Sequence, residues 1–257
     1  MVSTGKDFLK GNDKDGETRK NAKLKERRNT GLQRAENRRN AERRNGKSRK
    51  ISMGADETGE SGRRTVNAGE REIWRPGNML YPLPAVMVSC ARPGERPNII
   101  TIAWTGTICS SPAMVSISVR PERYSYDIIK ETGEFVINLT TERLVRAADF
   151  CGVRSGRDVD KFQEMHLTAG KASVVQAPVI LESPVNIECR VEQILELGSH
   201  HMFLALVEAV DIDSRFLSEN GRFELNKSGL AVYSHGEYFG LGEKVGSFGY
   251  SVKRRKN

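Results

Sequence analysis

Two arginines and a serine stand close together in Arg120-Pro121-Glu122-Arg123-Tyr124-Ser125, directly after the β-patterned run Met114 to Val119. Ser125 reads as the cap of a helix that runs through Ile128 and Ile129. A helix start preceded by two arginines can bind an anion, because its free backbone N–H groups and the positive end of its dipole point the same way. The plainer alternative is a capping serine beside solvated arginines, and spacing alone leaves both open. A second stretch with anion chemistry is CGVRSGRDVDKF (151–162), whose glycines, serine and Lys161 can wrap a phosphate or form an ordinary loop with an exposed lysine.

Other chemistries find no support. There is no serine or cysteine nucleophile arrangement and no Walker loop, and GLGEKVG (240–246) has GxG without the strand-to-helix context of a dinucleotide-binding unit. Cys90, Cys109, Cys151 and Cys189 lie far apart, with no CxxC pair and no histidine at metal-ligand spacing. They read as reduced thiols of a cytoplasmic protein. No run approaches the roughly 18 apolar residues of a membrane span, and the N-terminus lacks a signal peptide's apolar core.

The positioning elements follow from periodicity. Val115, Ile117 and Val119 alternate with Ser116 and Ser118, the period of a half-buried strand. Ala85 to Ser89, Ile99 to Trp104 and Phe135 to Leu139 are further short apolar strands, with a polar turn expected between Trp104 and Met114. Gly133 ends a helix over Tyr126 to Thr132, and Thr140 or Thr141 caps a second with Gly152 just past its end. From Asn186 to Glu192, Val185, Ile187, Cys189 and Val191 point inward while Asn186, Glu188, Arg190 and Glu192 point outward. Met202 to Val210 reads as a strand buried on both faces, and 229–252 holds one more strand and a Gly/aromatic loop. So many short strands with few helices are too strand-rich for a doubly wound sheet. A closed antiparallel barrel with peripheral helices fits better.

Charge divides the chain. The first 76 residues hold 21 Lys and Arg against 12 Asp and Glu, a net of +9, whereas the remainder is near −1. Arg19 to Lys50 has 14 basic and 3 acidic residues and almost no large apolar side chains, so it cannot bury enough surface to offset the entropy of ordering. Residues 1–72 are therefore expected to be a disordered basic extension or a marginal helix, and 73–257 the folded domain. Such a tail can touch nucleic acid by counterion release, although most such runs are simply solvated.

PNxxTxAWxG (97–106), SxRPxRYSYD (118–127), FVxNL (135–139), SGRDVDKF (155–162) and GSHHMF (198–203) together resemble the flavin reductase-like family, the FMN-binding split barrels that include flavoredoxin. The resemblance runs from about Trp74 to Lys253. It implies a mainly β split barrel with peripheral helices, a homodimer, non-covalent FMN, and hydride taken from NADH or NADPH. The family also contains electron carriers served by protein partners, and the residues do not separate the two roles.

Carried across position by position, it implies flavin contacts at Asn98, Trp104, Ser125, Lys161, His200 and Tyr233, extended to Thr105, Cys109, Ser110, Arg120 and Phe162. Trp104 and Tyr233 offer flat faces to a flavin. Ser125 and Lys161 suit its phosphate, and Asn98 can donate and accept at once. Taken singly, the aromatics would be core residues, His200 a strand-end histidine and Lys161 an exposed lysine. One departure stands at the turn facing the flavin, where the family's Asn-Ser-x-Pro-Pro is Cys109-Ser110-Ser111-Pro112-Ala113.

Overall fold

The computed structural model describes residue 69 and residues 72–252. The basic extension assigned to 1–72 lies outside the described residues except for Gly69 and Glu72. In chain order the strands are β1 (Leu83–Pro84), β2 (Val86–Cys90), β3 (Asn98–Ile102), β4 (Thr105–Ser110), β5 (Ala113–Val119), β6 (Glu134–Leu139), β7 (Ala169–Gly170), β8 (Val179–Ile180), β9 (Val185–Leu197), β10 (His200–Ile212), β11 (Ala231–Ser234) and β12 (Glu237–Gly240). The helices are α1 (Tyr124–Thr132), α2 (Val145–Val153) and the single turn α3 (Lys161–Glu164).

The main sheet has the order β3-β2-β6-β9-β10-β5-β4, every neighbouring pair antiparallel. Its two edges, β3 and β4, are joined only by Ala103 and Trp104, a link that reaches roughly 10 Å when extended. The sheet must therefore curl until its edges meet, which makes it a barrel. Alternating directions around the sheet leave β3 and β4 running the same way, and parallel neighbours need a crossover of a dozen or more residues. They follow each other end to end instead, as one bent strand that pairs first with β2 and then with β5. The barrel is thus split rather than closed, which corrects the closed barrel expected from strand count. Trp104 sits at the bend, its carbonyl accepting the Ser118 N–H at 2.9 Å.

Alternation fills the interior. Val86, Val88 and Cys90 from β2, Ile100 and Ile102 from β3, and Phe135 and Ile137 from β6 meet Ile117, Cys189 and Phe203. Helix α1 brings Tyr126, Ile128 and Ile129 to the same core. It stops at Gly133, whose left-handed conformation (φ 67°) returns its N–H to the Ile129 carbonyl. On the outer face, Met87 and Ile99 pack with Leu144, Ala147, Ala148 and Cys151 of α2 and its leading turn, together with Phe162 of α3.

Several local expectations are corrected. Residue Arg123, not Ser125, flanks the start of α1, and no side chain caps it. Thr141 precedes a 3-10 turn (Glu142–Leu144) without a capping bond, and Gly152 lies inside the last turn of α2. There a Cβ would sit 3.3 Å from Thr101, so the glycine lets α2 lie close to β3. The expected polar turn after Trp104 is mostly strand β4, leaving a tight turn at Ser111-Pro112. Strand β10 buries Phe203 and Ala205 but leaves Val210 and Ile212 exposed, so it is not buried on both faces.

The outward residues of β9 are also not where the alternation put them with respect to solvent. Asn186 and Glu188 do face away from the barrel, but residues 172–180 cover that face and bury both. Asn186 donates to the Asn138 side chain and the Ile180 carbonyl. The Glu188 carboxylate accepts from the Ser173 hydroxyl and from the N–H groups of Ser173, Val174 and Val175.

Candidate functional site

A cleft opens at the barrel split and has two lobes that share Ile100, Arg123 and Gly152. The larger, about 410 Å³, is walled by Trp104, His200, Tyr233 and Tyr238 over an apolar floor from β3. Its volume falls within the range of small-molecule sites. The smaller, about 180 Å³, carries Arg123, Arg154, Arg157 and Lys161 against one carboxylate, Glu122.

Trp104 is held half open, 39% exposed, because it stands at the bend between the two strand edges. His200 begins β10 beside it, with ring centroids 4.3 Å apart. Partial burial and the nearby Arg120 hold the His200 imidazole below its usual range, which favours its neutral form. Its Nδ1 meets the Ser199 hydroxyl at 3.0 Å. Tyr233 on β11 stands edge-on to Tyr238 across the β11–β12 hairpin, with centroids 5.5 Å apart. Burial first, and then Asp149, push the Tyr238 phenol up to about 12, so it stays protonated.

In the smaller lobe, Asn98 is buried at the start of β3 and donates through Nδ2 to the Ser125 hydroxyl at 2.7 Å. Its Oδ1 makes no hydrogen bond among the described residues and borders the loop at Gly156. Ser125 lies in the first turn of α1, and the dipole end expected to attract an anion is therefore present even though this serine is not the cap. Arg157 packs over the Tyr124 ring at 5.3 Å, which fixes a guanidinium at the rim.

Lys161 differs most from expectation. It is 3% exposed, and its ammonium donates to the carbonyls of Ile99 (2.6 Å) and Cys151 (2.8 Å), tying α3 to β3 and the end of α2. Burial lowers its pKa to about 8 from the usual 10.5. Between those values the unfolded chain holds a proton that the native lysine releases, so stability rises with pH across that window. Relative to Lys161→Met, the wild-type protein is expected to gain roughly 3 kcal/mol of unfolding free energy between pH 8 and 10.5. Denaturant unfolding of both proteins at the two pH values checks this.

The cleft thus gathers Asn98, Trp104, Arg120, Ser125, Lys161, His200 and Tyr233 from elements far apart in sequence. Arg120 lies in the larger lobe and pairs with Glu122 at 3.0 Å. Four expected residues line neither lobe. Thr105 donates its hydroxyl to the Ser116 carbonyl at 2.7 Å, and Phe162 belongs to the outer core. Cys109 and Ser110 lie at the far end of β4, about five residues and roughly 16 Å of strand from Trp104. Arg154, Arg157, Asp149 and Tyr238 were not singled out from sequence. The first two lie in the loop CGVRSGRDVDKF (151–162), whose glycines, serine and lysine were the anion signal, but no pattern in the sequence signalled Asp149 or Tyr238.

Residues 79–242 match the family model described as the flavin reductase like domain. A curated protein of Archaeoglobus fulgidus, itself uncharacterised, is 30% identical over 62% of this chain and 88% of its own. Among solved structures, flavoredoxin of Desulfovibrio vulgaris (Miyazaki F) superposes with a TM-score of 0.67 at 30% identity, covering 72% of this chain and all of its own. Flavoredoxin from Methanosarcina acetivorans gives 0.65 at 25% identity, over 72% of this chain and all of its own. No helix among the described residues is long and apolar enough to cross a membrane.

Proposed function

Since the chain belongs to the flavin reductase-like family, we propose that the two-lobed cleft holds FMN non-covalently and that the protein is an oxidoreductase taking hydride from NADH or NADPH. The observation that carries this is the pairing of an aromatic lobe with a lobe of four cations and one carboxylate. The donor set fits the group. A phosphate needs N–H donors and positive charge, which Arg123, Arg154, Arg157 and the start of α1 supply. An isoalloxazine needs flat apolar contact with polar groups at its edge, which Trp104, Tyr233 and His200 supply.

Bound flavin would supply a two-electron carrier able to accept hydride, and the protein's part is orientation and electrostatics. Trp104 and His200 present a wall that is already in place. Neutral His200 can donate or accept one hydrogen bond without placing a second positive charge beside Arg120. Lys161, fastened to two carbonyls, holds the loop and β3 at a fixed separation. Asn98, fastened to Ser125 and set against Gly156, lines the smaller lobe.

The electron-carrier reading has its own support in the likeness to two flavoredoxins. In that reading a protein partner, not nicotinamide, reduces the flavin. Anaerobic mixing of the FMN-loaded protein with NADH or NADPH separates the two: rapid loss of oxidised-flavin absorbance with either one is the result expected of a reductase. Persistence of that absorbance over minutes with both would leave only the carrier. We further assign residues 73–257 as the flavin-binding domain, acting as a cytoplasmic homodimer; large apolar side chains left exposed, including Trp74, Leu80, Phe239 and Phe248, support an interface between copies.

A further inference from the structure

We propose that Arg96, which lines neither lobe, is the positioning residue that shapes the basic lobe for a phosphate, acting through Gly156; this rests on the FMN reading above. Arg96 lies in the turn between β2 and β3, and its Nη2 donates to the Gly156 carbonyl at 2.8 Å across 60 residues of sequence. Its neighbour Arg92 is occupied by Glu131 and Glu95. Arg96, an exposed residue, forms no ion pair among the described residues, and its side-chain hydrogen bond fastens the loop at Gly156.

The fastened loop has almost no freedom toward the barrel. A Cβ on Gly156 would lie 2.1 Å from Asn98 Oδ1 and 2.8 Å from Tyr124 Cδ1, distances that real side chains do not adopt. The backbone at Gly156 is therefore pressed against Asn98 on one side and held by Arg96 through its carbonyl. The neighbouring residues are set by the same placement. The Arg157 N–H donates to the Ser155 hydroxyl at 3.2 Å, and the Arg157 guanidinium rests over Tyr124. Release of the Arg96 bond would let residues 154–157 move outward, taking Arg154 and Arg157 away from the space facing Ser125. The ring-binding wall of Trp104, His200 and Tyr233 belongs to other elements and would not move with them.

That separation gives a readout that general destabilisation would not reproduce. Riboflavin shares the ring and ribityl chain of FMN but lacks the phosphate. Dissociation constants for both are to be measured on the full chain and on Arg96→Ala, Arg96→Lys and Gly156→Ala, with thermal unfolding of each. The wild-type protein is expected to prefer FMN, and Arg96→Ala to lose that preference on the order of tenfold, as withdrawal of one lobe guanidinium from the phosphate warrants, with riboflavin affinity unchanged. Arg96→Lys, which keeps a charged donor, should restore part of it; Gly156→Ala, which displaces Asn98 as well, should weaken both ligands. An unchanged FMN preference in folded Arg96→Ala, or equal weakening of both flavins, would overturn the inference. Should Arg96→Ala not fold, Arg96→Gln is read by the same two criteria. A wild-type protein that binds neither flavin would instead overturn the FMN reading on which this one stands.

Discussion

Replacing Glu188 with Gln is expected to lower the unfolding free energy by roughly 3 kcal/mol at pH 7. Glu188 is 0% exposed. Its burial alone would raise the carboxyl pKa, but the Ser173 hydroxyl and three successive backbone N–H groups outweigh that and hold it at about 2, against the usual 4.5. A carboxylate with a depressed native pKa contributes stability that is fully present above the unfolded value and is lost as pH falls from about 4.5 to about 2. Glutamine keeps the shape but turns an NH₂ group toward N–H donors, leaving one of them without an acceptor. The gap between the two proteins should therefore be wide at pH 7 and close on acidification toward pH 2. Asp211 tempers the contrast, since burial and the neighbouring Glu188 raise its pKa and Glu188→Gln relieves the second effect. Urea unfolding of both proteins from pH 7 downward checks the size and the window. What Glu188 holds is the segment that covers β9 and Asn138, so the loss is one of packing and not of the cleft.

The opposite separation is expected for Trp104→Ala. Trp104 lies at the bend between the sheet's two edges and is 39% exposed, so its removal should cost less folding stability than loss of a core tryptophan, about 1–2 kcal/mol. It also forms the main face of the larger lobe and supports His200 at 4.3 Å. Loss of such an aromatic anchor from a desolvated contact is expected to weaken FMN binding by about 2 kcal/mol or more, roughly thirtyfold. Titration of FMN into both proteins, beside their thermal unfolding curves, measures the two effects separately.

Much of this arrangement could be read from residue order because it depends on local rules. The alternation of Val115, Ile117 and Val119, the glycine that ends α1 and the strand at Phe135 each rest on period or on backbone conformation, and each is present. Misreadings arose where a distant segment decides the environment. Glu188 is outward-facing by parity, and only the fold brings Ser173 to Val175 over it. Lys161, read as either a phosphate contact or an exposed lysine, lines the smaller lobe but is not exposed, because α3 lies so close to β3 that two carbonyls take its ammonium. Strand β4 is hard to read because Gly106 and Ser110 interrupt the strand-forming Thr105, Thr107 and Ile108, on an edge whose pairing comes wholly from β5. Asp149 and Tyr238 reach the cleft from a helix and a late hairpin, an adjacency that no spacing in the sequence encodes.

Tryptophan fluorescence during FMN addition tests the placement of the site most directly, because the chain has two tryptophans, Trp74 and Trp104. In a Trp74→Phe protein all indole emission comes from Trp104, at the wall of the larger lobe; in Trp104→Phe it comes from Trp74, 71% exposed and lining neither lobe. Saturable quenching at one FMN per chain is expected in the first protein, with clearly weaker quenching in the second. Equal quenching of the two, or none in the Trp74→Phe protein while FMN binds, would contradict a flavin seated at the barrel split.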